Sequence, residues 1–440
     1  MPVLTPQVAS PSIVTSFDDL KIPSAVVDNL VLKHLAAYPK SDVLVLSRHL
    51  GIVSHLIESI LGDLRKKSLV EVFQPASISP QVSAASANVR YGLSEKGLVQ
   101  ADEAFKKDAY LGPVPVSLDT YNEMVIAQDL RANLIKRLDV ESALSDVYGA
   151  ERLIKVLGPA INSGRALLLY GHAGTGKSFV AARILNSLHT SVYVPHSVYA
   201  AGNIIKVFSP QHHNPVDSYA SEDIINFKNQ YDKRWVLCER PNIQVGGELT
   251  MDMLEVNHSE HNRVWIAPLQ MMANNGILVI DDLGRQPMPV ATLLNRWIVP
   301  MEYNYDHLSL PNGQQITIPF ILTMAFSTNL DPKKIADPAF LRRLGYKIQF
   351  KPLLENDYLK LWTDLSNKKG LELLPTSVET LLSLHSLHSV GLFPCIPKDI
   401  VGISQDIIDF EELPSAIDPT VLQRAWDLYY TADEHGGKAL

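Results

Sequence analysis

Eight consecutive residues, Gly171, His172, Ala173, Gly174, Thr175, Gly176, Lys177 and Ser178, combine three glycines, a lysine and a hydroxyl in the spacing of a phosphate-binding loop. The glycines let successive backbone N–H groups curl around β- and γ-phosphates. The lysine adds a point charge, and the serine hydroxyl can hold Mg²⁺. Residues 165–170 read as a buried strand, and 179–185, beginning at Phe179, as a helix whose positive dipole end faces the anion. The pattern predicts a nucleoside triphosphate bound by residues 171–179.

Two further apolar runs carry groups that suit the same chemistry. Residues 276–280 read as a buried strand ending in Asp281 and Asp282. Asp281 is placed to hold Mg²⁺ directly or through water, and Asp282 to orient or deprotonate an attacking water. Residues 321–326 form a third strand, leading through Ser327 and Thr328 to Asn329, whose amide could align that water. Arg342 and Arg343 close a short helix. An arginine reaching a neighbour's γ-phosphate would neutralise charge on its equatorial oxygens, while a solvated helix end accounts equally well for either one.

The chain that must position these groups has 440 residues, enough for two or three domains, and 46% hydrophobic residues to fill them. With 39 basic against 47 acidic residues, no global positive field exists to hold nucleic acid. Cys238 and Cys395 lie far apart without metal-ligand neighbours, so neither a disulfide framework nor a zinc site is implied, and a reducing, cytoplasmic setting fits best. No stretch reaches membrane-spanning length, so no membrane partner is expected.

Residues 1–23, rich in Pro, Ser and Thr, read as a flexible tail. Over 24–110, helices at 24–38, 42–50 and 52–64 precede strands at 69–73 and 90–93, an order that resembles a winged helix-turn-helix domain. Val43, Leu46, Leu50, Leu56, Ile57, Ile60 and Leu64 would form its core, with Gly51 at the turn into the third helix. The outward positions Ser54, His55, Glu58, Ser59 and Asp63 are a poor match for DNA, and only Arg65, Lys66 and Lys67 at the far end are basic. Residues 1–110 hold 11 basic and 11 acidic residues, which favours a protein-docking module; DNA binding is the rival reading. A linker at 111–145, containing Gly112, Pro113, Pro115 and a helical stretch over 128–144, leads to a nucleotide domain at 146–352. The remainder, 353–440, reads as helices at 355–365, 377–388, 398–409 and 419–430, the last capped by Asp418 with Pro419 at its first position.

Taken together, the loop, the acid-tipped strand, Asn329 and the paired arginines resemble the AAA+ ATPase family over about 146–431. The resemblance implies an α/β P-loop NTPase with a parallel sheet and a C-terminal helical lid, to which the winged-helix reading of 24–110 adds an N-terminal domain. It implies hydrolysis of ATP with Mg²⁺ by a homo-oligomeric, hexameric ring that remodels an unidentified protein partner; the alternative is a nucleotide-switched DNA-binding regulator or loader. In family terms Asp281 and Asp282 are the Walker B acids and Asn329 is sensor 1. Arg343, with Arg342 in reserve, is the arginine finger, and Lys398 stands in for sensor 2. A hairpin at 307–319, turning at Asn312 and Gly313, resembles the branch containing MoxR-like chaperones and magnesium chelatases.

Two departures stand out. Asp282 replaces the usual glutamate and is one methylene shorter, which suggests slow turnover. Extra chain separates the loop from the Walker B strand: a hairpin over 193–210 around Ala201, Gly202 and Asn203, then 246–254, which reads equally as a pore-lining segment or a surface loop. His212, His213, His258 and His261 read as polar loop residues rather than metal ligands. Leu381, Leu382, Leu384 and Leu387 read as core of the C-terminal helices.

Overall fold

The computed structural model describes residues 9–73, 89–129, 131, 134–183, 190–216, 231–259, 263–335 and 338–430. The chain divides into two compact units. The first takes Met1–Leu134, His189–Leu278 and Thr292–Thr323, and the second Ile135–Leu188, Val279–Ala291 and Met324–Leu440.

In the first unit, helices Ser24–Ala37, Val43–Leu50 and Ser54–Lys66 precede antiparallel strands Val70–Phe73 and Arg90–Leu93. Asp42 starts the second helix by accepting from the Val45 N–H at 2.8 Å, and Gly51 ends it in a left-handed conformation. Leu46, Leu50, Leu56, Ile57, Ile60 and Leu64 are buried in one core, and Val43 packs at its edge. A further helix, Glu95–Lys107, is absent from the sequence reading. Its buried residues are Gly97, Ala101 and Ala104, so small side chains and many charges leave little apolar periodicity to detect.

Residues 1–8 of the expected tail lie outside the described residues. Beyond them, Pro11 accepts from the Asp232 N–H at 3.1 Å, and helix Phe17–Leu20 buries Leu20. Within the expected linker, Ser117 caps helix Leu118–Ala127, which buries Tyr121 and Val125. The helical stretch expected at 128–144 is a shorter helix, Arg137–Ala143, in the second unit.

The inserted chain forms a hairpin, Ser197–Ala200 with Asn203–Lys206, through a two-residue turn in which Ala201 and Gly202 both have positive φ. These strands continue a five-stranded sheet with Val116–Ser117 on one side and Val264–Ile266 and Asn257–Ser259 on the other. In 246–254, Leu249 and Leu254 are fully buried and Met251–Leu254 is a 3₁₀ turn, so the segment is anchored while Gly247 and Glu248 face outward. His213 is a buried structural residue, its Nε2 3.0 Å from the Met272 carbonyl; His261 lies outside the described residues. Strands Tyr305–Ser309 and Gln315–Pro319 make the expected hairpin. Arg296 fastens its base, pairing with Asp306 at 2.7 Å and with Glu255 at 3.1 Å.

In the second unit the strand order is Ile277–Ile280, Thr323–Thr328, Leu167–Gly171, Tyr346–Phe350, the first two strands beginning in the first unit. Leu167–Gly171 runs parallel to both its neighbours. This is an α/β arrangement, and the apolar runs read from the sequence are its buried strands. Helices Glu355–Lys368, Pro375–Leu387, Cys395–Glu411 and Pro419–Tyr429 follow, packed around Trp362, Trp426, Leu381, Ile400 and Leu422. Asp418 caps the last by accepting from the Val421 N–H. Of the four leucines read as core, Leu381 and Leu384 are buried, but Leu387 is 76% exposed. Six residues along a helix rotate it about 240° from Leu381, away from the packed face.

Candidate functional site

The strand Leu167–Gly171 delivers the glycine loop at its C-terminal end. Gly171 has φ 147°, and a Cβ there would overlap the Phe350 carbonyl oxygen. Gly174 and Gly176 adopt φ of 74° and 86°, the left-handed region that glycine enters without penalty. Thr175 Oγ1 donates to the His172 carbonyl at 2.8 Å, tightening the turn, and helix Lys177–Arg183 follows at once; positions 184 and 185 of the expected helix lie outside the described residues. Ala173 and His172 are exposed, and Ser178 is half-buried. Phe179 is exposed with the Arg183 guanidinium 3.5 Å above its ring, and Arg183 also pairs with Asp146 at 2.6 Å.

Lys177 is only 6% exposed, and its ammonium donates to the carbonyls of Gly171 at 3.0 Å and His172 at 2.8 Å and to Asn329 Oδ1 at 2.7 Å. Burial pulls its pKa below the usual lysine value, opposed by the charges of Asp281 and Asp282. Those two carboxylates follow the fully buried strand Ile277–Ile280. Leu283 N–H donates to the Ser327 carbonyl at 2.7 Å and Thr328 Oγ1 to the Leu283 carbonyl at 3.1 Å, so the turn carrying the acids is laced to the end of strand Thr323–Thr328. Asn329 Nδ2 then donates to Asp282 Oδ1 at 3.2 Å. Lys177, Asn329 and Asp282 thus form one hydrogen-bonded chain at the strand ends. Arg285, which sequence reasoning passed over, stands 3.6 Å from Asp282.

The donor set suits a nucleoside triphosphate with Mg²⁺. Ser178 and Asp281 supply one hydroxyl and one carboxylate, and a small cation that keeps several waters and phosphate oxygens needs little more. No cluster of three or more His, Cys, Asp or Glu side chains able to hold a metal exists among the described residues.

Three expected residues stand on other elements. Arg342 and Arg343 are exposed at the end of helix Pro338–Arg343. Lys398 is exposed one turn inside helix Cys395–Glu411, which begins three residues earlier than 398–409. The residue of that helix that meets the loop is Cys395. Its N–H donates to the Gly174 carbonyl at 3.3 Å, and its Sγ fills the space a Cβ on Gly174 would need. Phe393 stands beside His172 with ring centroids 5.9 Å apart. Pro394, at the N-cap, is the sequence signal for this earlier start, since proline favours the beginning of a helix.

Residues 354–428 match a family described as a domain of unknown function, DUF8689. No curated protein matches the chain. Among solved structures, the Thermotoga maritima RuvB Holliday junction branch migration motor is similar at 14% identity and a TM-score of 0.35, covering 71% of this chain and 75% of that one. NtrX from Brucella abortus is similar at 12% identity and a TM-score of 0.39, covering 74% of this chain and 66% of that one. Likenesses of this depth carry no functional weight.

Proposed function

We propose that the chain is an ATPase of the AAA+ type. The observation that carries this reading is the chain from Lys177 through Asn329 to Asp282, which sets a phosphate-loop lysine, an amide and a carboxylate at neighbouring strand ends. The backbone of residues 171–178 cradles the phosphates, and Lys177 moves from the loop carbonyls to the phosphate oxygens. Mg²⁺ held by Ser178 and Asp281 would neutralise charge on the β- and γ-phosphates. Asn329 orients a water and Asp282 accepts its proton as the γ-phosphoryl group leaves. Arg343 acts on the nucleotide of an adjacent copy in a ring, with Arg342 in reserve, which makes hydrolysis dependent on assembly.

The first unit's three helices and hairpin serve as a winged-helix docking module for a protein partner. Its exposed His55, Glu58, Ser59 and Asp63 and half-buried Ser54 bring no lysine or arginine toward a phosphate backbone. The test compares nucleotide binding with phosphate release. Lys177→Ala should lose both, while Arg343→Ala should keep binding and lose hydrolysis. Absence of phosphate release by the wild type in the presence of Mg²⁺ would remove the ATPase reading, and unchanged hydrolysis by Arg343→Ala would remove the shared site.

A further inference from the structure

Asp282 sits at φ 48°, a left-handed conformation that costs an aspartate on the order of 1 kcal/mol and persists only where neighbours impose it. Besides the bonds of Leu283 to strand Thr323–Thr328, the group that imposes it is the side chain of Gln286, which is only 8% exposed. Its Oε1 accepts from the Gly284 N–H at 2.9 Å, and its Nε2 donates to the Asp281 carbonyl at 3.0 Å and the Asp282 carbonyl at 3.4 Å. One amide therefore closes the turn from both directions: it satisfies the donor after the acids and the acceptors of the acids themselves. The Arg285 N–H adds a bond to the Asp282 carbonyl at 3.0 Å. With the backbone fixed, the Asp282 carboxylate is held within reach of Asn329, and so at the end of the chain that begins at Lys177.

We propose that Gln286 is a positioning residue for hydrolysis: its amide locks the turn of Asp281 and Asp282 and thereby sets the short carboxylate of Asp282 against the water. This rests on the ATPase reading. The role needs both ends of the amide, an acceptor toward Gly284 and a donor toward Asp281. A methionine of similar length supplies neither. A glutamate keeps the acceptor, but when ionised it turns a second oxygen on the Asp281 and Asp282 carbonyls, and when protonated it regains the donor.

Steady-state phosphate release, and nucleotide affinity measured without Mg²⁺, of the full chain separate the possibilities. Gln286→Met should lower kcat about tenfold or more while that affinity stays within about threefold, because the phosphate loop is untouched. Gln286→Glu, which keeps the acceptor toward Gly284 and loses the donor toward Asp281 at about pH 8, should be similarly slow with nucleotide affinity again within about threefold. A turn that is merely structural lowers binding and turnover together. Wild-type kcat in both variants, or nucleotide affinity lost in step with kcat, overturns the proposal and leaves the ATPase reading standing. A wild-type protein without turnover overturns both.

Discussion

Replacing Gly174 by alanine tests the contact between the phosphate loop and the C-terminal helices. At φ 74° an alanine pays about 1–2 kcal/mol for its left-handed backbone. Its Cβ would also overlap Cys395 Sγ, and overpacking of this kind costs about 1–3 kcal/mol. The single substitution should therefore destabilise the protein by roughly 2–5 kcal/mol. Only the second part depends on the thiol. In Gly174→Ala/Cys395→Ala the nearest atom to the new methyl is the residue 395 Cβ at 3.4 Å, an ordinary contact. The double variant should thus be more stable than the sum of the singles predicts by about 1–3 kcal/mol, a favourable coupling read from urea unfolding of all four proteins. Gly176 supplies the control: its φ is 86° but nothing lies within 4 Å of its Cβ position, so Gly176→Ala should show the backbone cost with no coupling to Cys395. Additive energies for Gly174 and Cys395, or equal coupling for Gly176, would refute the claim that the Cys395 end of its helix is seated on the loop.

Two other perturbations follow from buried charge in the first unit. Burial pulls the imidazoles of His34 and His196 from 6.5 down to about 4. Each binds its proton more readily when unfolded, so its stabilising contribution is full above about 6.5 and is lost as pH falls toward about 4; His34→Gln should flatten part of that decline, and an unchanged urea-midpoint slope would count against it. Arg296→Met strands Asp306, 2% exposed, without its cation and should cost about 3–5 kcal/mol, part of which Asp306→Leu in the same chain should restore; a single variant within about 1 kcal/mol of wild type would show that the pair does not hold the hairpin.

The loop, the acids and Asn329 were legible because each follows an unbroken apolar run, the signature of a strand buried on both faces. Local chemistry located two helix ends as well: Gly51 ends the second helix at the turn and Asp418 caps the last. The helix Glu95–Lys107 escaped because its inward face is made of glycine and alanine. Helix Cys395–Glu411 was placed late because Pro394 marks a start that Ile396 and Pro397 do not advertise. Gln286 and Cys395 were invisible for a different reason. Neither belongs to a spacing rule, and each acts through a backbone that only the folded turn or helix end brings beside it.

The three bonds made by the Lys177 ammonium have a kinetic consequence. A charged donor already satisfied by two carbonyls and an amide gives an arriving phosphate an exchange rather than a simple addition, so each new bond is offset by one released. One of the released partners is Asn329. In the proposed reaction, the oxygen of the amide that aligns water is engaged by Lys177 until phosphate displaces it, and is released in the same event that seats the substrate, while its nitrogen stays on Asp282. Readiness for hydrolysis would then be a property of the loaded site, and an intruding anion too small to draw Lys177 away would leave the asparagine bound.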